Sequence, residues 1–464
     1  MAVLGIFLAL GLLIFLAYKG FSVVVMAPIC ALVAAFLSGM AILPTYTEIF
    51  LPNLANYLKV YFPFFLLGAI FGKAMEESGA AKCIAKAIVD RLGKERAILA
   101  VVLSAAILTY GGISLFVVAF AVYPFAATVF KEADIPKRLL PATIALGAFT
   151  FTMDALPGTP QIQNSIPMKY FNTDLYAAPV TGIIATIIIL GVGLAYLEWR
   201  KRSAQAKGEG YGSGHKCEPE FNENEVLPKF LPSLLPLIAV LVVTLVLQKV
   251  VFPNWNIVSW ATQKPYSMVA TGVVGTMNNW ALIIGLLVGS VLACLSNPRT
   301  MKMTIPKAIN LGALGSFLAI LNTSSEVGFG NVIKSLPAFK VIANGLIGIN
   351  SNGSPLLSEA VSVNVLAGTT GSASGGMSIV LEMFGKKYME WGAATGTSPE
   401  LLHRIASMAS GGMDTLPHNG AVITLLGITG LTHKQSYRDI FFITCLKTGT
   451  CFLMILLQSI FHFV

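Results

Sequence analysis

Long apolar segments with few charges alternate with short polar segments along almost the whole chain. Examples are residues 178–198, 233–248 with their flanks, 279–295 and 440–461. A helix needs roughly 20 apolar residues to cross a hydrocarbon core of about 30 Å. The pattern therefore predicts an all-α polytopic membrane protein.

The first half of the chain divides into full spans, a surface helix, a hairpin and a broken span. The hairpin is indicated by two short apolar arms separated by Thr109-Tyr110-Gly111-Gly112, which suggests helices that enter the membrane and turn back. The predicted elements are full spans near 2–18, 20–39, 54–75 and 178–199, an amphipathic interfacial helix at 79–95, hairpin arms at 97–108 and 113–130, and a broken span at 138–156.

One phrase occurs twice: Met153-Asp154-Ala155-Leu156-Pro157 recurs as Met413-Asp414-Thr415-Leu416-Pro417. Phe71-Gly72 and Phe329-Gly330 match at nearly the same offset, which indicates duplication. The second half accordingly divides into spans at 233–252, 277–296, 309–333 and 440–461, hairpin arms at 355–368 and 373–385, and a broken span at 400–416. About five crossings per half, an odd number, predict two inverted repeats, each with a re-entrant helical hairpin and a broken transmembrane helix.

The hydrophilic stretch 200–232 separates the two halves, so we expect a first repeat at 1–199, a linker, and a second repeat at 233–464. Its Gly, Ser, Pro and charged residues are typical of a flexible linker. Most Lys and Arg fall on one side if the linker is cytoplasmic, which places both termini outside. Four lysines fall on the opposite side: Lys334, Lys340, Lys386 and Lys387.

Composition supports the membrane assignment, since 55% of the 464 residues are hydrophobic and 11% are charged. A soluble protein has about 25% charged residues. The net charge of +9 resides in short loops between spans, which argues against a nucleic-acid partner. The six cysteines have neither metal-ligand nor disulfide-framework spacing. Residues 1–17 lack a basic start and a cleavage site, so they are expected to be a first span.

The two hairpin tips are candidate substrate sites. A helix that stops in mid-membrane exposes N–H groups that suit a carboxylate, and Ser or Thr hydroxyls add hydrogen bonds. Close helix packing is the alternative explanation for small residues there. The candidates are Thr109, Gly111, Gly112 and Ser114 in the first tip, and Thr369, Thr370, Gly371, Ser372 and Ser374 in the second.

The repeated breaks carry the acids Asp154 and Asp414, which could bind a coupling cation, either H⁺ or Na⁺. A helix cap or an ion pair within the bundle is the alternative role for each acid. Residues next to the breaks are candidate substrate ligands, although a single His is as often structural. These residues are Pro157, Gly158, Thr159, His418 and Asn419.

A third polar cluster, Asn322-Thr323-Ser324-Ser325-Glu326, interrupts the apolar segment 309–333. Polar residues inside a span face a cavity or another helix, so Asn322, Thr323 and Glu326 are further coupling candidates. Glu359 and Glu382 lie on the second hairpin's arms and are expected nearer an interface. Lys73 and Arg404 are expected to snorkel or to pair with acids near the membrane boundary.

The chain resembles the GntP family of gluconate-type permeases, within the ion transporter superfamily. The resemblance rests on Ala155-Leu156-Pro157-Gly158-Thr159-Pro160-Gln161-Ile162-Gln163-Asn164, on Phe71-Gly72, and on the Gly-rich second hairpin. It implies cation-coupled uptake of small organic acids, a homodimer, and elevator-like movement of a transport domain. The Pro-Gly-Thr-Pro-Gln-Ile-Gln-Asn segment resembles a branch associated with short hydroxy acids such as 3-hydroxybutyrate more than it resembles gluconate carriers. The acid that gluconate-type members place after the first tip is absent from Gly111-Gly112-Ile113-Ser114.

Together with the membrane pattern, this resemblance implies a bacterial inner-membrane symporter that imports a small monocarboxylate such as 3-hydroxybutyrate, without a cofactor. A gluconate or sugar-acid symporter, or a di- or tricarboxylate transporter, is the alternative. An intramembrane aspartyl protease commonly has a Gly-x-Gly-Asp phrase, whereas Gly411-Gly412-Met413 precedes Asp414. A zinc protease would need His-Glu-x-x-His, which is absent. A channel would use a pore ring rather than two broken-helix sites.

Overall fold

The computed structural model describes residues 2–19, 21–218, 226–255, 277–296, 304–339, 353–370, 372–417 and 419–462, with the single positions 341, 345, 348 and 349. The described regular structure is helical, as the apolar pattern predicts. Its main helices are α1 (Ala2–Tyr18), α2 (Val23–Leu37), α3 (Ile42–Glu77), α4 (Ala80–Leu92), α5 (Ala97–Tyr110), α6 (Leu115–Glu132), α7 (Leu140–Ala148), α8 (Ile162–Phe171), α9 (Pro179–Gln205), α10 (Phe230–Val246), α11 (Met277–Ser296), α12 (Ile305–Ser335), α13 (Leu356–Thr370), α14 (Ala373–Thr395), α15 (Pro399–Gly412), α16 (Gly420–Thr429) and α17 (His433–Phe461).

Several helices are long and apolar enough to cross a membrane, and their outer faces expose large apolar side chains. Among the described residues, five segments meet this condition: Ile42–Glu77, Pro179–Gln205, Phe230–Asn254, Ile305–Ser335 and His433–Phe461. Exposed side chains such as Phe36, Ile187 and Leu314 would be unfavourable in water but are favourable in contact with lipid. The polytopic membrane fold is therefore confirmed.

Both predicted hairpins form. Helices α5 and α6 pack against each other around a tip at residues 111–114, and α13 packs along α14. The arms of the second hairpin approach closely at Gly376, where an added Cβ would meet the backbone of Ala367. Small residues permit this approach, as they do between membrane helices generally. Entry of the hairpins from one membrane face remains a prediction.

Both predicted breaks also form, but each broken span continues beyond its predicted end. Helix α7 ends at Ala148, the chain makes one turn at Phe151–Asp154, and α8 begins at Ile162. Helix α15 likewise ends at Gly412 and α16 begins at Gly420. The sequence analysis missed α8 and α16, because each has only ten residues and α8 contains Pro167. Both halves contain a hairpin, a broken helix and a long helix in this order; their inverted relation remains a prediction.

Helix α4 has the predicted amphipathic pattern, but protein covers its apolar face. Ala80, Ala81, Ile84 and Ala85 are buried, and the helix packs on both arms of the first hairpin and on α10. Its Lys86 and Asp90 pair on the exposed side at 2.6 Å. The helix therefore braces the first hairpin and does not simply lie on the lipid.

Residues 206–218 of the predicted linker contact the loop before α7, and the assignment of 200–232 as a linker remains a prediction. The Glu209 carboxylate accepts hydrogen bonds from Nε and Nη2 of Arg138 at 2.5 and 2.8 Å. Glu218 accepts one from Lys137 Nζ at 2.8 Å. The Tyr123 hydroxyl donates to the carbonyl of Cys217 at 2.6 Å. Polar composition alone could not show that the loop before α7 supplies matching cations.

Glu209→Gln is expected to loosen residues 206–218, because it removes the charge that Arg138 contacts. The hydrogen bond from Arg138 lowers the pKa of Glu209, so the pair contributes stability at neutral pH and loses it as pH falls through that lowered pKa. Since Glu209 is partly exposed, the expected loss is at most about 1 kcal/mol. Amide hydrogen exchange across 206–218 at pH 7 and pH 4 measures it. Glu132→Gln is the control, and equal exchange in the two variants would contradict the expectation.

Candidate functional site

The two breaks and the second hairpin meet at Asp414. Its Oδ2 accepts a hydrogen bond from Gln163 Nε2 at 3.0 Å, and its Oδ1 accepts one from Asn419 Nδ2 at 3.3 Å. The backbone N–H of Ala373, the first residue of α14, also donates to this carboxylate. A helix N-terminus stabilises an anion in this way. Asp414 therefore joins the first break, the second break and the second tip.

Asp154, the matching acid of the first break, forms an ion pair with Lys447 of α17. The Nζ of Lys447 lies 2.5 Å from Asp154 Oδ2 and donates to the carbonyl of Phe149 at 2.9 Å. Both side chains are 1% exposed. Gly411 lies against this pair and leaves no room for a Cβ. Of the two roles expected for Asp154, the structure shows the ion pair within the bundle.

Arg404 is fully buried, which corrects the expectation that it snorkels to the membrane boundary. Its guanidinium donates to the carbonyls of Asp154 at 2.9 Å and Ala177 at 2.8 Å, and to Asn164 Oδ1 at 3.0 Å. The planar fork suits several acceptors at once. His403 Nε2 lies 3.0 Å from the same Asn164 oxygen. Arg404 thus holds the segment around the first break together.

The central charges balance without any bound ion. Two carboxylates, Asp154 and Asp414, lie with two cations, Lys447 and Arg404, in one buried region. Each charge there has hydrogen-bonding partners, as a buried charge requires. Lys73 instead pairs with Glu77 at 2.7 Å, in agreement with its predicted pairing. Two oxygens of this region, Asp154 Oδ1 and Gln163 Oε1, are buried and have no hydrogen-bond partner among the described residues.

The side-chain amide of Gln161 caps carbonyl groups of the first tip. Gln161 Nε2 donates to the carbonyls of Thr109 at 2.6 Å and Ile113 at 3.2 Å. The Tyr110 hydroxyl donates to the carbonyl of Pro157 at 2.8 Å. Gly112 has φ +96°, a left-handed conformation that favours glycine. The carbonyl end of the first hairpin is thus closed by the loop of its own half.

The loop after Asp154 is shaped by internal contacts. Gly158 has φ +84° and lies against Tyr176. The Thr159 hydroxyl donates to the carbonyl of Thr152 at 2.6 Å, and Thr159 is buried. Pro157, Gly158 and Thr159 therefore fix the backbone of the break in this conformation.

A cavity of about 220 Å³ lies beside the first tip. Two helices begin at it, α6 after Ser114 and α8 after Gln161. Neither N-cap side chain caps its own helix. Polar and small lining residues are Gly112, Ser114, Pro160, Gln161, Gln163, Ser165 and Ser316, and the apolar walls include Phe64, Phe65, Leu115, Met153, Ile162, Leu286 and Ala319.

Gln163 lines this cavity and has an unpaired acceptor. Because the Asp414 carboxylate accepts from Nε2, the other amide atom, Oε1, is the oxygen. This oxygen is buried and has no hydrogen-bond partner among the described residues. Thr109 Oγ1 is also buried and has no hydrogen-bond partner among the described residues. Buried unpaired acceptors are uncommon, so the Gln163 oxygen is a candidate acceptor for a ligand hydroxyl.

The second tip is closed by Glu326, which comes from α12. Glu326 is buried, hydrogen-bonds Ser372 and lies against Gly375. Ser372 caps α14 by accepting from the Gly375 N–H at 3.1 Å. The Thr323 hydroxyl donates to the carbonyl of Ala319 at 3.2 Å, and Ser374 is half-buried. Asn322 Oδ1 has no partner in the described part of the chain.

Some predicted residues lie outside what the structure describes. These are Gly371, His418 and the side chains of Thr369 and Thr370. Sequence reasoning missed other residues of the centre, namely Gln161, Gln163, Asn164, His403 and Lys447. A lone cation within the apolar segment 440–461 could have drawn attention to Lys447, because charges inside spans are rare.

Comparison with known proteins agrees with this architecture. Residues 1–403 match the GntP family permease profile. The chain is 49% identical to the transporter YxjC of Bacillus subtilis (strain 168), over 99% of both chains. Its fold resembles that of the Alcanivorax borkumensis YdaH transporter, with a TM-score of 0.56, 14% identity, and 88% and 86% of the two chains covered.

A second solved structure, Neisseria gonorrhoeae MtrF, described as illuminating a class of antimetabolite efflux pumps, matches with a TM-score of 0.52. The identity is 13%, and 87% of this chain and 81% of that chain are covered. Likenesses at this identity concern the fold, whereas the profile and the 49% identity establish the family. The chain is a member of the GntP permease family and a membrane transporter.

Proposed function

We propose that this transporter imports a small monocarboxylate such as 3-hydroxybutyrate, coupled to a cation, and that the cavity beside the first tip binds it. The observation that carries the proposal is the meeting of two helix N-termini, α6 and α8, at one cavity. The first amides of a helix have no intrahelical acceptor and carry partial positive charge. These backbone amides therefore suit the carboxylate of a substrate.

The size and walls of the cavity favour a short acid. At about 220 Å³ it is smaller than the roughly 300–1,000 Å³ of sites for drug-sized ligands. Phe64, Leu286 and Ala319 give it apolar walls that cannot satisfy many hydroxyls. These features support a short hydroxy acid over gluconate or a di- or tricarboxylate, which remain the alternatives.

One hydroxyl on the substrate would have a partner. Gln163 Oε1 is a buried acceptor at the cavity, fixed in orientation by the Asp414 carboxylate. A substrate hydroxyl that donates to it would satisfy both groups, whereas an unsubstituted acid would leave the acceptor unpaired. The proposed preference is therefore for a hydroxy acid over the acid without the hydroxyl.

Movement in the proposed mechanism is of the elevator type. The hairpins and broken helices share buried polar contacts, such as Gln161 with the first tip and Asp414 with the second. Elements joined in this way would move together as one transport domain. Homodimerisation and location in the bacterial inner membrane belong to the same proposal.

Gln163→Leu is expected to weaken binding of 3-hydroxybutyrate about tenfold, because one hydrogen bond contributes about 1.5 kcal/mol or less. Binding of butyrate, which lacks the hydroxyl, should weaken less. Isothermal titration of purified protein with the two acids measures the ratio, and the exposed Gln205→Leu is the control. An unchanged ratio would contradict the role of Gln163. Wild-type protein that binds sugar acids or tricarboxylates and neither short acid would overturn the proposed substrate.

A further inference from the structure

Glu359 of α13 is a fully buried acid outside the network described above. Its exposed fraction is 0%, and neither Oε1 nor Oε2 has a hydrogen-bond donor among the described residues. An ionised carboxylate without a partner is expensive in such a place, by several kcal/mol. The position of Glu359 nearer an interface remains a prediction. A neutral, protonated carboxyl avoids this cost.

The titratable groups around Glu359 are occupied with other partners. On α14, the Tyr388 hydroxyl donates to Ser362 Oγ at 3.1 Å and also bonds Ser358. On α17, the Cys451 thiol faces the carbonyl of Ile405 at 3.9 Å. Neither group supplies a cation. An uncharged environment of this kind favours the neutral acid.

The cations on the neighbouring helices are also committed. Lys447 lies one turn before Cys451 on α17 and pairs with Asp154. On α15, which also packs on α13, Arg404 binds carbonyls of the first break and His403 bonds Thr173 and Asn164. The turn containing Asp414 packs on α13 as well, and that acid is held by Gln163. Helix α1 adds no acid or cation within its described residues.

Other acids in the same part of the molecule each have a donor. Asp154 has Lys447, Asp414 has Gln163, and Glu326 has Ser372. Glu382, on the other arm of the same hairpin, accepts from the Tyr170 hydroxyl at 2.9 Å. Glu359 thus differs from these four acids in its surroundings, although it belongs to the same hairpin as Glu382.

We propose that Glu359 is the proton-binding carboxyl that couples transport, which makes H⁺ the cation. This deepens the proposed function and rests on it. The four central charges cancel, so a bound monocarboxylate adds one negative charge that one proton on Glu359 offsets. The proton binds a carboxylate oxygen from water on the outside, moves with the α13–α14 hairpin, and leaves to water on the inside. One H⁺ accompanies one anion, so the step is electroneutral.

The test uses purified full-length protein in liposomes, with 3-hydroxybutyrate as the probe. An inward pH gradient should drive accumulation by the wild type. Glu359→Gln keeps the shape but has no carboxyl proton to bind and release, so it should lose at least tenfold in gradient-driven accumulation and retain counterflow exchange. Glu382→Gln is the matched control on the same hairpin and should retain both activities.

Infrared spectroscopy measures the protonation of the Glu359 carboxyl directly, which a purely structural role for this residue would not require. At neutral pH the wild type should show a protonated-carboxyl C=O band that Glu359→Gln lacks and that Glu382→Gln keeps. If Glu359→Gln does not fold, Glu359→Asp should shift this band, and an unshifted band would overturn the inference.

Each remaining outcome is decisive. Glu359→Gln that accumulates substrate as well as the wild type overturns the inference. Wild-type accumulation that requires Na⁺ and ignores the pH gradient also overturns it, while leaving the proposed function in place. Wild-type protein that exchanges no short hydroxy acid at all overturns the proposed function itself.

Discussion

Replacing Lys447 with methionine is expected to destabilise the protein by about 3–5 kcal/mol, because it leaves the Asp154 carboxylate buried without its cation. The pair is 1% exposed on both sides, so water cannot take over from the lost ammonium group. The carbonyl of Phe149 would lose its donor as well. Denaturant unfolding in mixed micelles measures the free energy, and the exposed Lys434→Met on the same helix is the control.

The double variant Asp154→Asn with Lys447→Met tests whether the destabilisation comes from the uncompensated Asp154 carboxylate. Removing both charges also removes the uncompensated carboxylate, so the double variant should be more stable than Lys447→Met alone. If Lys447→Met unfolds like the wild type, the ion pair does not contribute as described. If the double variant is the less stable one, non-additive packing outweighs the charge.

Arg404→Lys is expected to cost about 3 kcal/mol although it keeps the positive charge. The guanidinium serves the carbonyls of Asp154 and Ala177 and the side chain of Asn164 together. A lysine ammonium group is a single point with three donors and cannot reach this spread of acceptors. Unpaired buried acceptors each cost roughly 1–3 kcal/mol.

Amide hydrogen exchange locates the effect of Arg404→Lys. Exchange should rise in residues 172–178 and in the loop after Asp154, since Arg404 binds carbonyls of both segments. Binding of the short acid should weaken with it, because Asn164 belongs to α8, which begins at the cavity. Arg438→Lys, an exposed arginine on α17, is the control. Unchanged exchange in 172–178 would contradict the holding role of Arg404.

The sequence predicted the elements well where the signal is a local pattern. The duplicated Met-Asp phrase located both breaks, and the Gly-rich interruptions located both hairpin tips, since small and helix-breaking residues act on the backbone nearby. Glu326 was expected only to face a cavity or another helix, because polar residues inside a span do so. Its contact with the second tip was not predicted.

The sequence did not predict which residues meet across the halves. Asp154 and Lys447 are 293 positions apart, and Gln163 and Asp414 are 251 apart. Such pairs depend on how whole helices pack, which local periodicity does not encode. The docked part of the linker was missed for a related reason: its composition is that of a flexible segment, whereas its partners, Lys137 and Arg138, lie some 70 or more positions earlier.

The ion pair between Asp154 in the first half and Lys447 in the second has a consequence for biosynthesis. Asp154 is synthesised 293 residues before its cation Lys447. Until α17 inserts, the nascent chain holds an uncompensated carboxylate in the membrane, so a prematurely terminated product would be marked for degradation by membrane quality-control proteases. A chain truncated before Lys447 should therefore accumulate less than the full chain.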